Sequence, residues 1–135
     1  MRVIIAGSRS ITDYGIVVYA IKLSGYEVDV VLSGDARGVD ELGGRWGMEN
    51  GLEVEHYPVT DSDWKEYGRR AGPRRNQLMI EAGADALIAV SRVLLKSRRG
   101  CSPGTSDMIR RAKAAGMRVF GWHPDYVYWW RPGNE

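Results

Sequence analysis

Arg2-Val3-Ile4-Ile5-Ala6-Gly7-Ser8-Arg9 opens the chain with an apolar run that ends on a glycine, followed at once by a hydroxyl and a guanidinium. A short apolar run bounded by glycine reads as a buried strand, Arg2 to Ala6, feeding a tight turn. The same grammar recurs along the chain. Val28 to Leu32 reads as a second strand, Glu53 to Tyr57 as a weaker third ending at Pro58, Ala86 to Val90 as a fourth and Arg118 to Trp122 as a fifth. Amphipathic stretches lie between them. Thr12 is placed to cap a helix through about Leu23 that Gly25 stops; Gly38 to Asn50 reads as a second helix with Gly51 behind it. Asp61-Ser62-Asp63-Trp64-Lys65 has cap chemistry for a short helical turn, Pro73 opens a third helix to about Ala82, and Thr105 or Ser106 opens a fourth to Ala115. Alternating strands and helices imply βαβ units, a five-stranded parallel sheet and a three-layer α/β sandwich.

The length of 135 residues suits one domain, spanning 1–135, and 44% apolar with 27% charged residues describes an ordinary globule. The opening apolar run is too short for a signal peptide or a membrane span, so a cytoplasmic protein without a membrane partner is expected. Cys101 is the single cysteine, which excludes an internal disulfide and a cysteine-based zinc site, and His56 and His123 stand far apart. No metal site is expected. The net charge of +2 does not by itself call for nucleic acid. Arg69-Arg70, Arg74-Arg75 and the run Lys96-Ser97-Arg98-Arg99 can form a local basic patch, although most of these charges read as solvated surface. Pro132 to Glu135 reads as a frayed tail.

Four segments carry the chemistry: Gly7-Ser8-Arg9, Ser33-Gly34-Asp35-Ala36-Arg37-Gly38-Val39-Asp40, Ala71-Gly72-Pro73-Arg74-Arg75-Asn76 and Pro103-Gly104-Thr105-Ser106-Asp107. Each follows a strand or begins a helix. In an open parallel sheet those places converge on one crevice, where backbone N–H groups and helix N-termini attract phosphate. Gly7 permits close backbone approach, Ser8 offers a hydroxyl and Arg9 a planar fork for phosphate. Ser33 and Gly34 are read as a phosphate-facing turn, and Gly38 as the place where the second helix nears the sheet. Asp40 has two readings, a ribose acceptor or a helix-capping group; Asp35 is read as a cap, and Arg37 is left open between ligand and solvent. Arg75 and Asn76 lie in the first turn of the third helix, where Asn can read a base or sugar edge and Arg can neutralise phosphate. The spaced glycines of the dinucleotide fingerprint are absent and no Walker-type lysine follows either glycine loop, so neither a standard NAD dehydrogenase nor a P-loop enzyme is expected, and no cofactor is called for.

Taken together, the four segments resemble the Rossmann-like SLOG superfamily, which includes the lysine-decarboxylase-like LOG proteins and DprA, and within it the small YspA-type, cpYpsA-related branch. The match runs from Gly7 to about Phe120. The resemblance implies a sheet of order 3-2-1-4-5 and a pocket for a nucleotide or nucleotide-derived ligand, with Gly104-Thr105 as a second phosphate-binding turn. The phosphoribohydrolase members of the superfamily carry Pro-Gly-Gly-x-Gly-Thr-x-x-Glu, and this chain has Met108 at the position of the glutamate. The neighbouring carboxylate, Asp107, is swung by ~100° on a helix and is expected to point to solvent or cap the helix. Asp107 and Asp40 are thus the candidate catalytic groups of a hydrolase whose catalysis, if any, is slow.

Three functions follow from this reading: a nucleotide-derivative binder acting as sensor or weak enzyme, a nucleoside monophosphate N-glycosidic hydrolase, and a DprA-like binder of single-stranded nucleic acid that stacks bases on Trp64, Tyr67, Trp129 and Trp130. The aromatic residues Trp122, Tyr126, Tyr128, Trp129 and Trp130 exceed what a five-stranded sheet covers, so a homodimer is expected.

Overall fold

The computed structural model of the chain describes residues 1–92 and 103–133. Lys96 to Arg99, Cys101 and the last two residues of the tail lie outside the described residues. The elements run β1 (Arg2–Gly7), α1 (Tyr14–Ser24), β2 (Val30–Ser33), α2 (Val39–Glu49), β3 (Glu53–His56), α3 (Asp61–Tyr67), a 3₁₀ turn (Gly68–Arg70), α4 (Ala71–Glu81), β4 (Ala86–Val90), α5 (Pro103–Ala114), β5 (Arg118–His123) and β6 (Tyr126–Trp130). Strand order is β3-β2-β1-β4-β5-β6. The first five strands pair in parallel, as β1 with β2, β1 with β4, β2 with β3 and β4 with β5. β6 adds a sixth, antiparallel strand on β5, in register from His123↔Tyr126 to Val119↔Trp130.

This sixth strand corrects the expected count of five. Pro124 and Asp125 turn the chain back directly after β5, and Tyr126-Val127-Tyr128-Trp129-Trp130 is rich in residues that suit a half-buried pleated surface. Much of the aromatic surplus thus covers β5, with Trp129 tilted against Phe120 at 5.0 Å.

The parallel strands separate two cores. Val3 and Ile5 of β1 face α1 and α2 with Val17, Ala20, Ile21 and Val39. Ile4 faces α4 and α5 with Met79, Met108, Ile109 and Ala112. Period-2 alternation on a strand buried on both faces produces this division, and it makes the expected three layers.

Several local boundaries differ from expectation: β2 begins at Val30 and not Val28, α5 at Pro103 and not at Thr105 or Ser106, and three helix starts differ in their chemistry. Asp13, and not Thr12, caps α1: it is extended and its Oδ1 accepts from the Gly15 N–H at 2.9 Å. α3 is a full helix closed by a capping box, Thr60 Oγ1 accepting from Asp63 N and Asp63 Oδ2 from Thr60 N. Because the 3₁₀ turn leads straight into α4, that helix begins at Ala71, two residues before Pro73. Proline is tolerated there, since first-turn N–H groups have no acceptor within the helix. No helix among the described residues is long and apolar enough to cross a membrane.

Candidate functional site

In this strand order the direction of winding reverses between β1 and β4, and that is where an open α/β sheet forms a crevice at its carboxyl edge. Gly7 makes the junction. A Cβ there would lie 1.9 Å from the Val90 carbonyl oxygen, so only glycine lets β1 leave the sheet beside the end of β4. The Ser8 N–H then donates to Val90 O at 3.0 Å, and Ser8 O accepts from Val39 N at 3.2 Å, tying the turn to the start of α2. Gly38 must be glycine for a related reason. It has φ +80°, and a Cβ would meet Ser8 O at 2.3 Å.

A cleft of about 680 Å³ opens over this junction. β1 and its turn supply Gly7, Ser8, Arg9 and Ser10; α2 supplies Asp40; α4 supplies Arg75 and Asn76; Arg92 follows β4; and α5 supplies Pro103, Gly104, Thr105 and Met108. Eight of the residues singled out in the sequence therefore share one cavity: Gly7, Ser8, Arg9, Asp40, Arg75, Asn76, Gly104 and Thr105. Among the described residues the lining carries three arginines against one carboxylate, and the twelve-residue helix α5 begins in it. A smaller cleft of about 260 Å³ adjoins, with Gly34, Asp35, Arg37 and Trp64 in its wall.

Asp40 is buried and its carboxyl is pushed up to about 6. Burial is the dominant cause. The Arg75 charge and hydrogen bonds from the Ala36 and Gly7 backbone oppose it only in part. Arg75 is pushed down in turn, burial outweighing the attraction of Asp40, and Arg9 adds like-charge repulsion. Arg75 is also held in place. Its Nη1 donates to the carbonyls of Gly34 and, at 3.2 Å, Tyr57, and its Nε donates to Asn76 Oδ1 at 3.1 Å. Gly34 leaves room for this arrangement, since a Cβ there would come within 2.5 Å of Arg75 Nη1 and 2.6 Å of Asp40 Oδ2.

Several expected site residues do other work. Ser33 is fully buried, and its Oγ donates to Asp40 O at 2.9 Å and accepts from Asp35 N at 3.2 Å; it organises the β2–α2 loop from beneath. Gly34 gives its carbonyl to Arg75 and lines the smaller cleft, as Arg37 does. Asp35 occupies the left-handed region at φ +58° and pairs with His56 Nδ1 at 2.8 Å, a tie between the loop and β3. Asn76 places both amide hydrogens on α5, on Gly104 O at 3.3 Å and Asp107 Oδ2 at 3.0 Å.

Asp107 neither points to solvent nor caps a helix, contrary to expectation. It accepts from Asn76, from Arg110 at 2.9 Å and from Arg111 at 2.9 Å, and it is absent from the cleft lining. Its burial would raise its pKa, but the bonds from Asn76 and Arg111 outweigh that and hold it below the usual carboxylate range. Met108, one residue on, is buried in the wall of the cleft, so the ~100° rotation per residue separates the two as expected.

Arg92 is a cleft-lining residue that sequence reading missed. It stands just past the end of β4, the strand facing Gly7 across the junction, so the rule that drew attention to Arg9 applies to it as well. The buried Ser8 Oγ accepts from its backbone N–H at 3.3 Å and donates to Ser91 Oγ at 3.2 Å, while His123 Nε2 meets its carbonyl at 3.0 Å. Of the aromatic residues considered for base stacking, Trp64 borders the smaller cleft, and Tyr67 packs under Arg74 at 4.3 Å. Trp129 and Trp130 lie beside Arg118, where β5 begins, at the opposite end of the sheet. Among the described residues, no group of three His, Cys, Asp or Glu side chains is placed to hold a metal ion.

No family model matches the chain. Its fold is similar to the X-ray structure of DNA processing protein A (DprA) from Streptococcus pneumoniae, with a TM-score of 0.62 and 19% identity over 89% of this chain and 49% of that one. The chain thus spans about half the length of DprA, and at this identity the likeness is one of fold, a mostly parallel Rossmann-like sheet of the kind that the SLOG resemblance implied. In sequence, it is 36% identical over 126 residues to the Gene 61 protein of Mycobacterium phage D29, an alignment covering 87% of this chain and 93% of the phage protein. At that identity and coverage, the chain belongs to the same family as the phage D29 Gene 61 protein.

Proposed function

We propose that this chain binds a nucleotide or nucleotide-derived ligand at the carboxyl ends of its sheet strands, as a sensor or a weakly active enzyme. The supporting observation is the lining of the larger cleft: Arg9, Arg75 and Arg92 against the single carboxylate Asp40, with the start of α5 in the same wall. Three guanidinium groups and a helix N-terminus favour a phosphate. Asp40, with its carboxyl at about 6, is suited to a sugar hydroxyl beside it, accepting when ionised and donating when protonated. On this reading residues 1–135 form one nucleotide-binding unit of the YspA-type branch, working in the cytoplasm as a homodimer.

The test is thermal unfolding with a series of nucleoside monophosphates and their dephosphorylated nucleosides. A ligand that binds only the native state raises the midpoint by mass action, so phosphate-dependent shifts are expected. Equal shifts with and without phosphate count against the site.

A second reading, binding of single-stranded nucleic acid, draws on the fold shared with a protein named for DNA processing and on Trp64 beside the arginines. It requires affinity for an oligonucleotide to fall steeply with salt. The hydrolase reading rests on Asp40 alone, because Asp107 is tied up between α4 and α5. Release of free base that depends on Asp40 would favour it.

A further inference from the structure

The two clefts are neighbours with a common wall. Arg9, Ala36 and Arg75 line both. Arg75 is pinned on that boundary by bonds from Nε and Nη1, which leaves Nη2 outside those contacts, and exposed Arg9 stands beside it. The boundary is therefore cationic and partly immobile, suited to an anion held from two guanidinium groups at once.

The lobes on either side differ in chemistry. The larger offers Asp40, an acceptor suited to a sugar hydroxyl, beside the start of α5. The smaller offers a flat apolar wall of Pro58, Val59 and half-exposed Trp64, with Arg37 at its side. An aromatic ring next to a cationic boundary is the arrangement on which a nucleobase stacks. A mononucleotide with its phosphate on the boundary fills one lobe and leaves the other to water.

Building on the nucleotide reading above, we infer that the ligand is a free dinucleoside phosphate: two nucleosides joined through a phosphodiester or pyrophosphate, the bridge on Arg9 and Arg75 with the second phosphoryl group of a pyrophosphate toward Arg92 and the start of α5, one nucleoside over Asp40 and the other base on Trp64. Occupying both lobes makes the second nucleoside's binding intramolecular, so affinity rises well above that of either half.

Calorimetric titration of the full chain with AMP, GMP, diadenosine diphosphate, diguanosine diphosphate and deoxyadenylate oligomers of increasing length tests this. At least one dinucleoside diphosphate is expected to bind more than tenfold tighter than its mononucleotide, with one molecule per chain. Trp64→Ala, on an exposed face of α3, is expected to lower that ratio by about fivefold or more, the loss typical of a removed stacking platform. Four results overturn the inference. If a mononucleotide binds as tightly as its dinucleoside counterpart, or Trp64→Ala leaves the ratio unchanged, the nucleotide reading survives and the two-lobed ligand does not. If affinity keeps rising with oligomer length past two nucleotides, the paired clefts are part of an open nucleic-acid groove. If neither mononucleotide nor dinucleotide binds, both readings fall.

Discussion

Replacing Asp40 by Asn removes the one titrating carboxylate in the cleft lining while keeping its shape, and the consequence for stability depends on pH in a calculable way. In the unfolded chain the group ionises near its ordinary value of 3.8; in the folded protein burial pushes it up to about 6. Between these values the native state keeps a proton that the unfolded state has lost, so stability falls as pH rises through this window. At about 1.4 kcal/mol per pH unit, the interval corresponds to a penalty of about 3 kcal/mol once both states are ionised. Somewhat under half of it, just over ~1 kcal/mol, accrues between pH 5 and pH 7. The amide is a fixed mimic of the protonated acid and carries no such dependence. Other carboxylates, among them Glu55 and Asp107, are shifted the opposite way and stabilise with rising pH, so the quantity to measure is the difference between the two proteins. Urea unfolding of wild type and Asp40→Asn at pH 5, 6, 7 and 8 should show the variant gaining on the wild type by about 1 kcal/mol from pH 5 to 7, a relative midpoint change of roughly 3–5 °C in a melting experiment. A difference that stays flat, or moves against the variant as pH rises, refutes the buried-carboxylate argument. An anion seated beside Asp40 would favour the protonated acid further, so the ratio of wild-type to variant phosphate affinity should rise as pH falls through about 6, the ligand's own titration being common to both.

Three further predictions concern neighbouring positions. Gly7→Ala forces a Cβ against Val90 O, and Gly38→Ala adds a left-handed conformation to a similar clash with Ser8 O; each should lower stability by ~3 kcal/mol or more, read as a drop in the unfolding midpoint, and a near-native midpoint would show that the turn can yield. Asn76→Ala removes the bonds from α4 to Gly104 O and Asp107 Oδ2 and takes the acceptor from Arg75 Nε, so a loss of ~1–3 kcal/mol is expected in the empty protein, and an unchanged midpoint would mean that the α4–α5 tie is dispensable. Met108→Glu places a carboxylate in the wall of an arginine-lined cleft: it should lower stability, weaken phosphate binding and raise base release from nucleoside monophosphates above whatever level the unmodified protein gives, which liquid chromatography of the free base would detect. Brisk base release by the unmodified protein that is lost in Asp107→Asn would contradict the placement of Asp107 outside the cleft.

Local signals carried the layered fold and the address of the cleft. The strand from Arg2 to Gly7, the strand Ala86–Val90 and helix terminators such as Gly25, Gly51 and Gly83, all at positive φ, depend on residues a few positions apart, and periodicity and cap chemistry read them directly. That Gly7-Ser8-Arg9 and Gly104-Thr105 meet in one cavity follows from strand-end geometry applied to that reading, together with the sheet order that the resemblance implied. The division of labour inside the site was set elsewhere. Whether Asn76 faces a ligand or α5, and whether Gly34 turns its carbonyl toward Arg75, depend on partners 28 to 41 positions away. No window of sequence contains both ends of such a contact. The sixth strand needed the edge of β5 to pair with, and the raised carboxyl of Asp40 needed the burial that only the closed junction of β1, α2 and α4 provides. Sequence located the place where the cleft opens because that location follows from chain direction. Tertiary structure decided which side chains are left to line it, because hydrogen bonds made across the fold withdraw some candidates from the cleft and leave Arg9, Arg75, Arg92 and Asp40 in it.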